Sequence, residues 1–267
     1  MKVCKICAGL TSTLGSSLFL GRHVGEYECC EVCGFTFIRD PGWLEEAYSS
    51  AITAVDLGSV YRCDLFSGLL KTLIHTYSNS QARFVDYGGG YGLLVRRMRD
   101  LGYDYQWFDK HCENLFATGF DAAPSPDAHY GLLSAFEVFE HLSDPVAEME
   151  VMTQFSDHIV FTTEIISRPP PAPGTWWYYG PEHGQHISFY TWDALNRLGR
   201  RFNLYFVTNG KIHMFTKQKV NKHFFSTIVS PLVSRTFNLF LRQESLLPQD
   251  FENQRNRVIA SQASLSN

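Results

Sequence analysis

The sequence lacks three features, each of which would have pointed to a class of protein. It has no run of about 18 apolar residues, so no transmembrane helix is expected. It has no basic excess, since 23 Lys and Arg stand against 27 Asp and Glu, whereas nucleic-acid-binding enzymes normally carry a basic stripe. It begins with cysteines where a signal peptide needs an apolar core, so we expect a cytoplasmic protein.

A glycine-rich segment, residues 83–92, organises the rest of the chain and reads Arg-Phe-Val-Asp-Tyr-Gly-Gly-Gly-Tyr-Gly. A short apolar strand ends in Asp86, and apolar residues at helical spacing follow the glycines. Glycine lets the backbone turn tightly and lets a ligand approach it closely. Asp109 ends the next predicted strand, where a carboxylate suits the two hydroxyls of a ribose. The carboxylate of Asp86 suits a cofactor with an ammonium group better than a pyrophosphate.

Four of the seven cysteines form two Cys-x-x-Cys pairs near the beginning of the chain, Cys4 with Cys7 and Cys30 with Cys33. Their spacing is close to that of a zinc ribbon, and four thiolates make a closed, structural zinc site. The alternative is a set of redox dithiols or disulfides, which a cytoplasmic setting disfavours. Cys29 is an ambiguous neighbour, and the symmetric spacing favours Cys30 as the ligand.

The glycine segment with Asp109 resembles motif I and its acidic follower in class I S-adenosylmethionine-dependent methyltransferases. Residues 135–142, Ala-Phe-Glu-Val-Phe-Glu-His-Leu, resemble the segment after the fourth strand in one branch of that family. Residues 176–190 resemble a signature of methyltransferases associated with sugar and surface-polysaccharide pathways, and zinc-binding sugar C-methyltransferases carry a similar N-terminal module. The resemblance implies that S-adenosylmethionine contacts Asp86, Gly88, Gly89, Gly90, Tyr91, Asp109, Lys110 and Phe136.

Transfer of a methyl group to a sugar hydroxyl requires a base that takes up the hydroxyl proton. The candidate catalytic residues are His186, His183, His141 and Glu137, and we predict His186 as the base. The alternative is that His186 only braces its loop. In the sugar C-methyltransferases a Glu-His pair takes part in catalysis, and here Gln185 replaces that Glu, which favours O-methylation. The aromatic residues of this loop are expected to stack on sugar rings, namely Trp176, Trp177, Tyr178 and Tyr179.

The order of predicted elements gives an α/β fold with a doubly wound, mostly parallel, seven-stranded Rossmann-like sheet. We divide the chain into a zinc-ribbon module (1–40), a helical connecting segment (41–80), the methyltransferase domain (81–218) and a helical extension with a disordered tail (219–267). Helices are predicted to begin after Asp144 and Thr191, and a short third strand is predicted to end near residues 119–120. Three arginines are predicted to lie on a solvated helix face, namely Arg96, Arg97 and Arg99.

These observations predict an enzyme that methylates a sugar hydroxyl on a nucleotide sugar, glycolipid or surface-polysaccharide precursor. The alternatives are an RNA-binding methyltransferase that captures its substrate with the zinc ribbon, a sugar C-methyltransferase, and a non-catalytic cofactor-binding scaffold. The acidic charge and the lack of an Asn/Asp-Pro-Pro-aromatic motif argue against a nucleic-acid partner. The C-terminal extension permits peripheral membrane contact, although docking on its own protein or a second copy is favoured. The oligomeric state is left open.

Overall fold

A six-stranded sheet forms the centre of this computed structural model, which describes residues 3–49, 57–125 and 129–265. The strands are β1 (Thr11–Phe19), β2 (His23–Cys30), β3 (Thr36–Ile38), β4 (Arg83–Tyr87), β5 (Asp104–Phe108), β6 (Leu132–Ala135), β7 (His158–Thr162), β8 (Ser188–Phe189), β9 (Tyr205–Thr208) and β10 (Ile212–Thr216). The helices are α1 (Leu44–Ala47), α2 (Ser59–Tyr77), α3 (Leu93–Asp100), α4 (Pro145–Phe155), α5 (Trp192–Arg201), α6 (Lys222–Ile228), α7 (Pro231–Asn238) and α8 (Leu247–Leu265).

The central sheet has the strand order β5-β4-β6-β7-β10-β9, in which the first four strands are parallel. Strand β10 runs antiparallel to both of its neighbours, β7 and β9. The inner strands are apolar and buried on both faces, which is the pattern of a parallel sheet covered by helices. The doubly wound, mostly parallel α/β fold is therefore confirmed.

The prediction of seven strands was wrong, because the third strand is reduced to a single parallel bridge between Trp107 and Asp121. Gly119 has a positive φ of 86°, which turns the chain just before the bridge. Pro124 follows and has no backbone N–H for a sheet hydrogen bond. Residues 126–128 of this loop lie outside the described part of the chain.

A second sheet of four strands, in the order β1-β2-β3-β8, joins the N-terminal module to the rest of the chain. Its last strand comes from a distant part of the sequence, since Thr36 pairs with Phe189 and Phe37 with Ser188. Cys33 also belongs to a buried cluster that includes Phe161 of the central sheet. The predicted zinc module is thus packed against the central sheet.

The C-terminal helices dock on the same chain. Arg99 is only 7% exposed, and its guanidinium donates two hydrogen bonds, of 2.9 and 2.8 Å, to the carboxylate of Asp250. The prediction that Arg99 lies on a solvated face was therefore wrong, because α8 covers it. The predicted disordered tail overlaps α8, which the structure describes as far as Leu265. Within the described ranges, no helix combines the length and apolar character that a membrane span requires.

Local signals placed two helices correctly. The side chain of Asp144 accepts hydrogen bonds from the backbone N–H groups of Val146 and Ala147, and Thr191 accepts one from Ala194. Both side chains satisfy N–H groups that the first turn of a helix leaves unpaired. The segment predicted to be helical before the sheet contains α1 and α2, and its residues 50–56 lie outside the described part.

Candidate active site

One cavity of about 780 Å³ opens at the carboxyl ends of β4, β5 and β6, where open α/β sheets bind ligands. The sequence-predicted residues that line it are Asp86, Gly88, Gly89, Gly90, Tyr91, Asp109, Lys110, Phe136, Glu137, His141, His183 and His186. The fold therefore brings the predicted cofactor-binding residues and the predicted catalytic residues to the same space. Helices α1 and α2 also contribute to its wall, through residues such as Leu44 and Phe66, and Tyr48 directly after α1 lines it as well.

Asp86 lies at the end of β4 and is 5% exposed. Its Oδ1 accepts a hydrogen bond of 2.6 Å from the hydroxyl of Ser134 on the neighbouring strand. Burial, with a smaller contribution from the charge of Asp109, raises the pKa of Asp86 to about 7. A carboxylate in this position gains free energy when a cation approaches, because the cation offsets the cost of burying the charge.

The glycine turn has two positions at which only glycine fits. Gly88 has a φ of 69°, and a Cβ there would lie 2.6 Å from Cγ2 of Val138. Gly90 has a φ of 53° and faces open space, so that a ligand can approach its backbone closely. The N–H of Gly90 donates a hydrogen bond of 2.9 Å to Oδ2 of Asp109, which ties the turn to the end of β5.

Asp109 organises the loop in which it lies. Its Oδ1 accepts hydrogen bonds from the backbone N–H groups of His111 and Cys112, at 2.7 and 3.0 Å. Together with Gly90, three backbone donors hold this carboxylate, so its direction is fixed. Lys110 lines the cavity, but its ammonium group forms an ion pair of 2.7 Å with Glu148.

Phe136 supplies an apolar wall on the side of β6. Its ring stacks on that of Phe66 from α2, with centroids 4.0 Å apart and an angle of 18° between the planes. The helical segment before the glycine turn therefore reaches the cavity through Phe66. A flat apolar surface of this kind suits an aromatic ligand group.

Three histidines form a cluster in the wall of the cavity. The ring of His186 lies 5.0 Å from that of His141 and 4.5 Å from that of His183, measured between centroids. Burial lowers the pKa of His186 to about 4 and that of His141 to about 3. Burial also lowers the pKa of His183. These imidazoles are therefore neutral at pH 7, the form that accepts a proton or binds a cation.

Hydrogen bonds fix which nitrogen of each ring carries the proton. Nδ1 of His186 lies 2.7 Å from the carbonyl oxygen of Tyr178, and a carbonyl can only accept. Nδ1 of His141 lies 3.1 Å from the carbonyl oxygen of Gln185 and 2.8 Å from the hydroxyl of Tyr48. In both residues Nδ1 therefore donates, and the lone pair is on Nε2.

Two glutamates flank the cluster. Glu137 is exposed to the cavity and has a φ of 54°, which is unusual for a residue with a side chain. Its Oε1 accepts a hydrogen bond of 2.6 Å from Thr162, and its backbone N–H donates one of 2.9 Å to the same hydroxyl oxygen. This double contact holds the strained conformation in place.

Glu140 is a site residue that sequence reasoning missed. It is completely buried, and among the described residues neither of its carboxyl oxygens has a hydrogen-bond partner. Burial, with a contribution from the charge of Glu137, raises its pKa to about 8. The signal was present in the sequence, because Glu140 directly precedes His141.

The aromatic loop is mostly internal, contrary to the expectation that four of its rings stack on a sugar. Tyr178 and Tyr179 are buried in a cluster with Phe189 and residues of the N-terminal sheet. Trp177 differs, because it is 74% exposed and lines the cavity. Gln185 is buried and donates a hydrogen bond of 2.7 Å to the carbonyl oxygen of Ala47, so it anchors the loop to α1.

The four predicted zinc ligands meet at one point. The Sγ atoms of Cys4, Cys7, Cys30 and Cys33 lie within 4.8 Å of one another, with Cys4–Cys33 and Cys7–Cys30 separations of 3.7 and 3.5 Å. A tetrahedral zinc site with Zn–S bonds of about 2.3 Å needs S–S separations of about 3.8 Å. The thiol set therefore fits a zinc ion, and Cys29 stands outside it.

The comparisons with known proteins agree with this architecture. A family described as "Methyltransferase domain" matches residues 61–209, or 149 of the 267 residues. No curated protein matches the sequence.

Similar solved structures include human N-acetylserotonin methyltransferase in complex with SAM, with 15% identity over 67% of this chain and 66% of that one, at a TM-score of 0.41. A SAM-dependent methyltransferase from Leishmania major is 15% identical over 66% of this chain and 84% of that one, with a TM-score of 0.46. Magnesium protoporphyrin IX methyltransferase from Synechocystis is 10% identical over 65% of this chain and 91% of that one, with a TM-score of 0.42.

The sheet order, the glycine turn and the acidic residue after it define a class I methyltransferase that uses S-adenosylmethionine. The chain belongs to the methyltransferase-domain family. The residues that line the cavity fit the cofactor: Asp86 offers a carboxylate for an ammonium group, Asp109 offers one for ribose hydroxyls, and Phe136 offers an apolar surface.

Proposed function

We propose that this enzyme transfers a methyl group to a hydroxyl of a sugar-containing acceptor, such as a nucleotide sugar, a glycolipid or a surface-polysaccharide precursor. The observation that carries the proposal is the position of the three-histidine cluster in the same cavity as the glycine turn. Such a site can take a proton from a weakly acidic hydroxyl at neutral pH. The exposed ring of Trp177 in the cavity wall offers a face on which a sugar can stack.

When bound, S-adenosylmethionine supplies an electrophilic methyl group on a sulfonium sulfur. The enzyme's own residues then hold and orient the two reactants, which is the main requirement for a direct transfer. Asp86 would hold the ammonium group of the cofactor, and Asp109 its ribose hydroxyls. The acceptor hydroxyl would lose its proton through His186, whose Nδ1 is committed to Tyr178 and whose Nε2 carries a lone pair.

Replacement of the expected catalytic Glu by Gln185 supports oxygen rather than carbon as the nucleophile. Gln185 donates to the backbone of Ala47 and is neutral, so it supplies no additional base for the removal of a proton from carbon. Carbanion chemistry needs a stronger base than O-methylation does. We therefore favour O-methylation over C-methylation.

We also propose that Cys4, Cys7, Cys30 and Cys33 bind one structural zinc ion. The support is the close approach of the four Sγ atoms, with Cys4, Cys30 and Cys33 buried and Cys7 half-buried. Four thiolate ligands leave no open position for a substrate. A zinc ion here would hold the turns that precede β1 and β3, and β3 pairs with β8 next to the histidine loop.

The proposed acceptor class can be tested by measuring S-adenosylhomocysteine formation with three panels of substrates: nucleotide sugars, lipid-linked glycans and structured RNA. We expect turnover with at least one sugar-containing acceptor and none with RNA. Turnover with RNA alone would overturn the proposal and would favour a role of the cysteine module in capturing nucleic acid. A variant with Asp86→Asn and Asp109→Ala serves as the control for cofactor-dependent signal.

A further inference from the structure

Three side chains beside the cavity are arranged like the ligands of a metal ion. The ligand atoms of Glu140, His141 and His186 lie within 4.8 Å of one another, and they belong to two separate segments of the chain. A tetrahedral site with metal–ligand bonds of about 2.1 Å needs separations of about 3.4 Å, which small side-chain rotations would provide. The two histidines line the cavity, and Glu140 is buried beside them.

The environment of Glu140 is a second, independent observation. Its carboxyl group is 0% exposed, and within the described residues neither oxygen has a hydrogen bond of normal geometry. The hydroxyls of Tyr178 and Thr163 lie close enough to lower its pKa but do not complete such a bond. Buried carboxyl groups are normally hydrogen-bonded, paired with a cation or bound to a metal, because an unpaired one is costly. None of the Lys and Arg ion pairs in the described part of the chain involves Glu140. A bound cation would supply the missing partner.

The hydrogen bonds of His141 and His186 also favour a metal site. Histidines that bind metals usually donate the proton of their other ring nitrogen to a backbone carbonyl or a carboxylate, which fixes the tautomer and the ring orientation. His186 donates from Nδ1 to the carbonyl of Tyr178, and His141 from Nδ1 to that of Gln185. Both Nε2 atoms thus keep a lone pair for a cation.

We propose that Glu140, His141 and His186 hold a divalent cation of the first transition row, such as Mn²⁺, Fe²⁺ or Zn²⁺, within the active-site cavity. Two imidazoles and one carboxylate suit these ions better than Mg²⁺ or Ca²⁺, which prefer oxygen ligands throughout. Three protein ligands leave positions open for an oxygen of the acceptor. This inference rests on the proposed function for its role, but the binding site itself does not depend on the acceptor.

The cation would change how the acceptor loses its proton. A hydroxyl oxygen bound to the cation has a lowered pKa, so its O–H bond breaks more readily and the electron pair stays on oxygen. The proton passes to the carboxylate of Glu137, which faces the cavity, and from there to solvent. The O–CH₃ bond then forms as the S–CH₃ bond breaks, and the sulfur keeps that electron pair. In this scheme His186 acts by holding the cation.

The binding test uses Mn²⁺ on the full-length protein after it has been loaded with one equivalent of zinc, so that the cysteine site is already filled. Electron paramagnetic resonance of free Mn²⁺ and calorimetry both report binding. We expect one Mn²⁺ per chain in the wild type. Absence of Mn²⁺ binding, together with no uptake of Zn²⁺ beyond the first equivalent, would overturn the proposal.

Two variants and one control locate the ion. Glu140→Gln keeps the shape of the side chain but removes its charge, and His186→Asn removes the imidazole; each should weaken Mn²⁺ binding by more than about tenfold. The control is His183→Asn, because His183 lines the same cavity but lies outside the three-residue set. This variant should bind Mn²⁺ with the affinity of the wild type. Thermal melting and S-adenosylmethionine binding verify that each variant is folded. Unchanged Mn²⁺ affinity in both folded ligand variants would overturn the assignment.

An activity measurement separates this inference from the proposed function. After mild chelation that leaves the cysteine-bound zinc in place, S-adenosylhomocysteine formation with the sugar acceptor should fall and should return when Mn²⁺ is added. Methylation that proceeds fully without the cation would overturn the cation's role in the transfer and leave the acceptor proposal standing. Binding of Mn²⁺ without methylation of any sugar would support the metal site and overturn the proposed acceptor class.

Discussion

The hydroxyl of Thr191 donates a hydrogen bond of 2.5 Å to the carbonyl oxygen of Cys33. The same oxygen of Thr191 accepts a hydrogen bond of 3.0 Å from the N–H of Ala194, in the first turn of α5. One side chain therefore joins a cysteine turn of the N-terminal module to the helix that follows the histidine loop. Because β8 adds a second link to the same sheet, the cysteine module and the histidine loop are expected to fold together.

Zinc should accordingly stabilise more than the N-terminal module. We predict one tightly bound zinc per chain that is lost in Cys30→Ser and retained in Cys29→Ser, since Cys29 lies outside the four-thiol cluster. Binding free energy in such sites is folding free energy, on the order of 10 kcal/mol, so Cys30→Ser should unfold the module and weaken activity. Metal analysis of fresh protein checks this. The Glu140→Gln variant lacks a ligand of the second proposed site but keeps all four cysteines, so its zinc content reports the cysteine site. A content of less than about half an equivalent of zinc per chain in this variant would count against a structural zinc.

Asp109→Ala should weaken S-adenosylmethionine binding by about 2–4 kcal/mol, roughly 30- to 1,000-fold, if two ribose hydrogen bonds to a charged group are lost. The variant also removes the acceptor for Gly90, His111 and Cys112, so the loop itself should loosen. Asp109→Asn keeps one acceptor oxygen and should lose less. Isothermal calorimetry measures the three affinities, and equal affinities would show that Asp109 does not hold the ribose.

Cofactor binding should depend on the ionisation of Asp86. Its pKa is raised to about 7 in the free protein, mainly by burial, and an ammonium ligand would lower it again. The carboxylate is therefore mostly protonated at pH 5.5 and mostly ionised at pH 7.5, so affinity should rise as pH increases across that range. In Asp86→Asn the same titration should be flat below pH 7, and a similar slope in both proteins would remove Asp86 from the ammonium site.

His186→Asn should lower turnover by about 100- to 10,000-fold while cofactor affinity stays near the wild-type value. The asparagine can still form a hydrogen bond, but it neither accepts the proton nor replaces Nε2 as a cation ligand. His183→Asn is the matched comparison and should have a smaller effect. Near-normal turnover of His186→Asn on the true acceptor would show that His186 is not the residue that assists loss of the acceptor proton. His183, His141 and Glu137 would then be tested in that order.

The sequence predicted what is encoded locally. Strands β4, β6 and β7 are short buried runs, and the caps at Asp144 and Thr191 mark their helices because the cap and the first turn are adjacent in sequence. The glycine turn and the cysteine pairs are likewise short patterns, which indicate a ligand-binding turn and a set of metal ligands. All eight predicted cofactor residues line the cavity for this reason.

Features that depend on distant partners were missed. The pairing of Arg99 with Asp250 joins residues 151 positions apart, so nothing near Arg99 shows that it is buried. Strand β8 is two residues long and is defined only by its partner β3. Glu140 and His141 are adjacent in the chain, but their proximity to His186 arises only when the loop folds back over the sheet.

The central claim, methylation of a sugar hydroxyl, is tested most directly by following the transferred methyl group itself. S-adenosylmethionine labelled with ¹³C in its methyl group is incubated with the enzyme and an acceptor that turns over in the substrate panel, and the product is examined by ¹³C NMR. The account predicts a single methyl signal with the chemical shift of a methoxy group on a sugar carbon, and its loss in His186→Asn. A methyl signal on carbon, or a labelled product that contains no sugar, would contradict it.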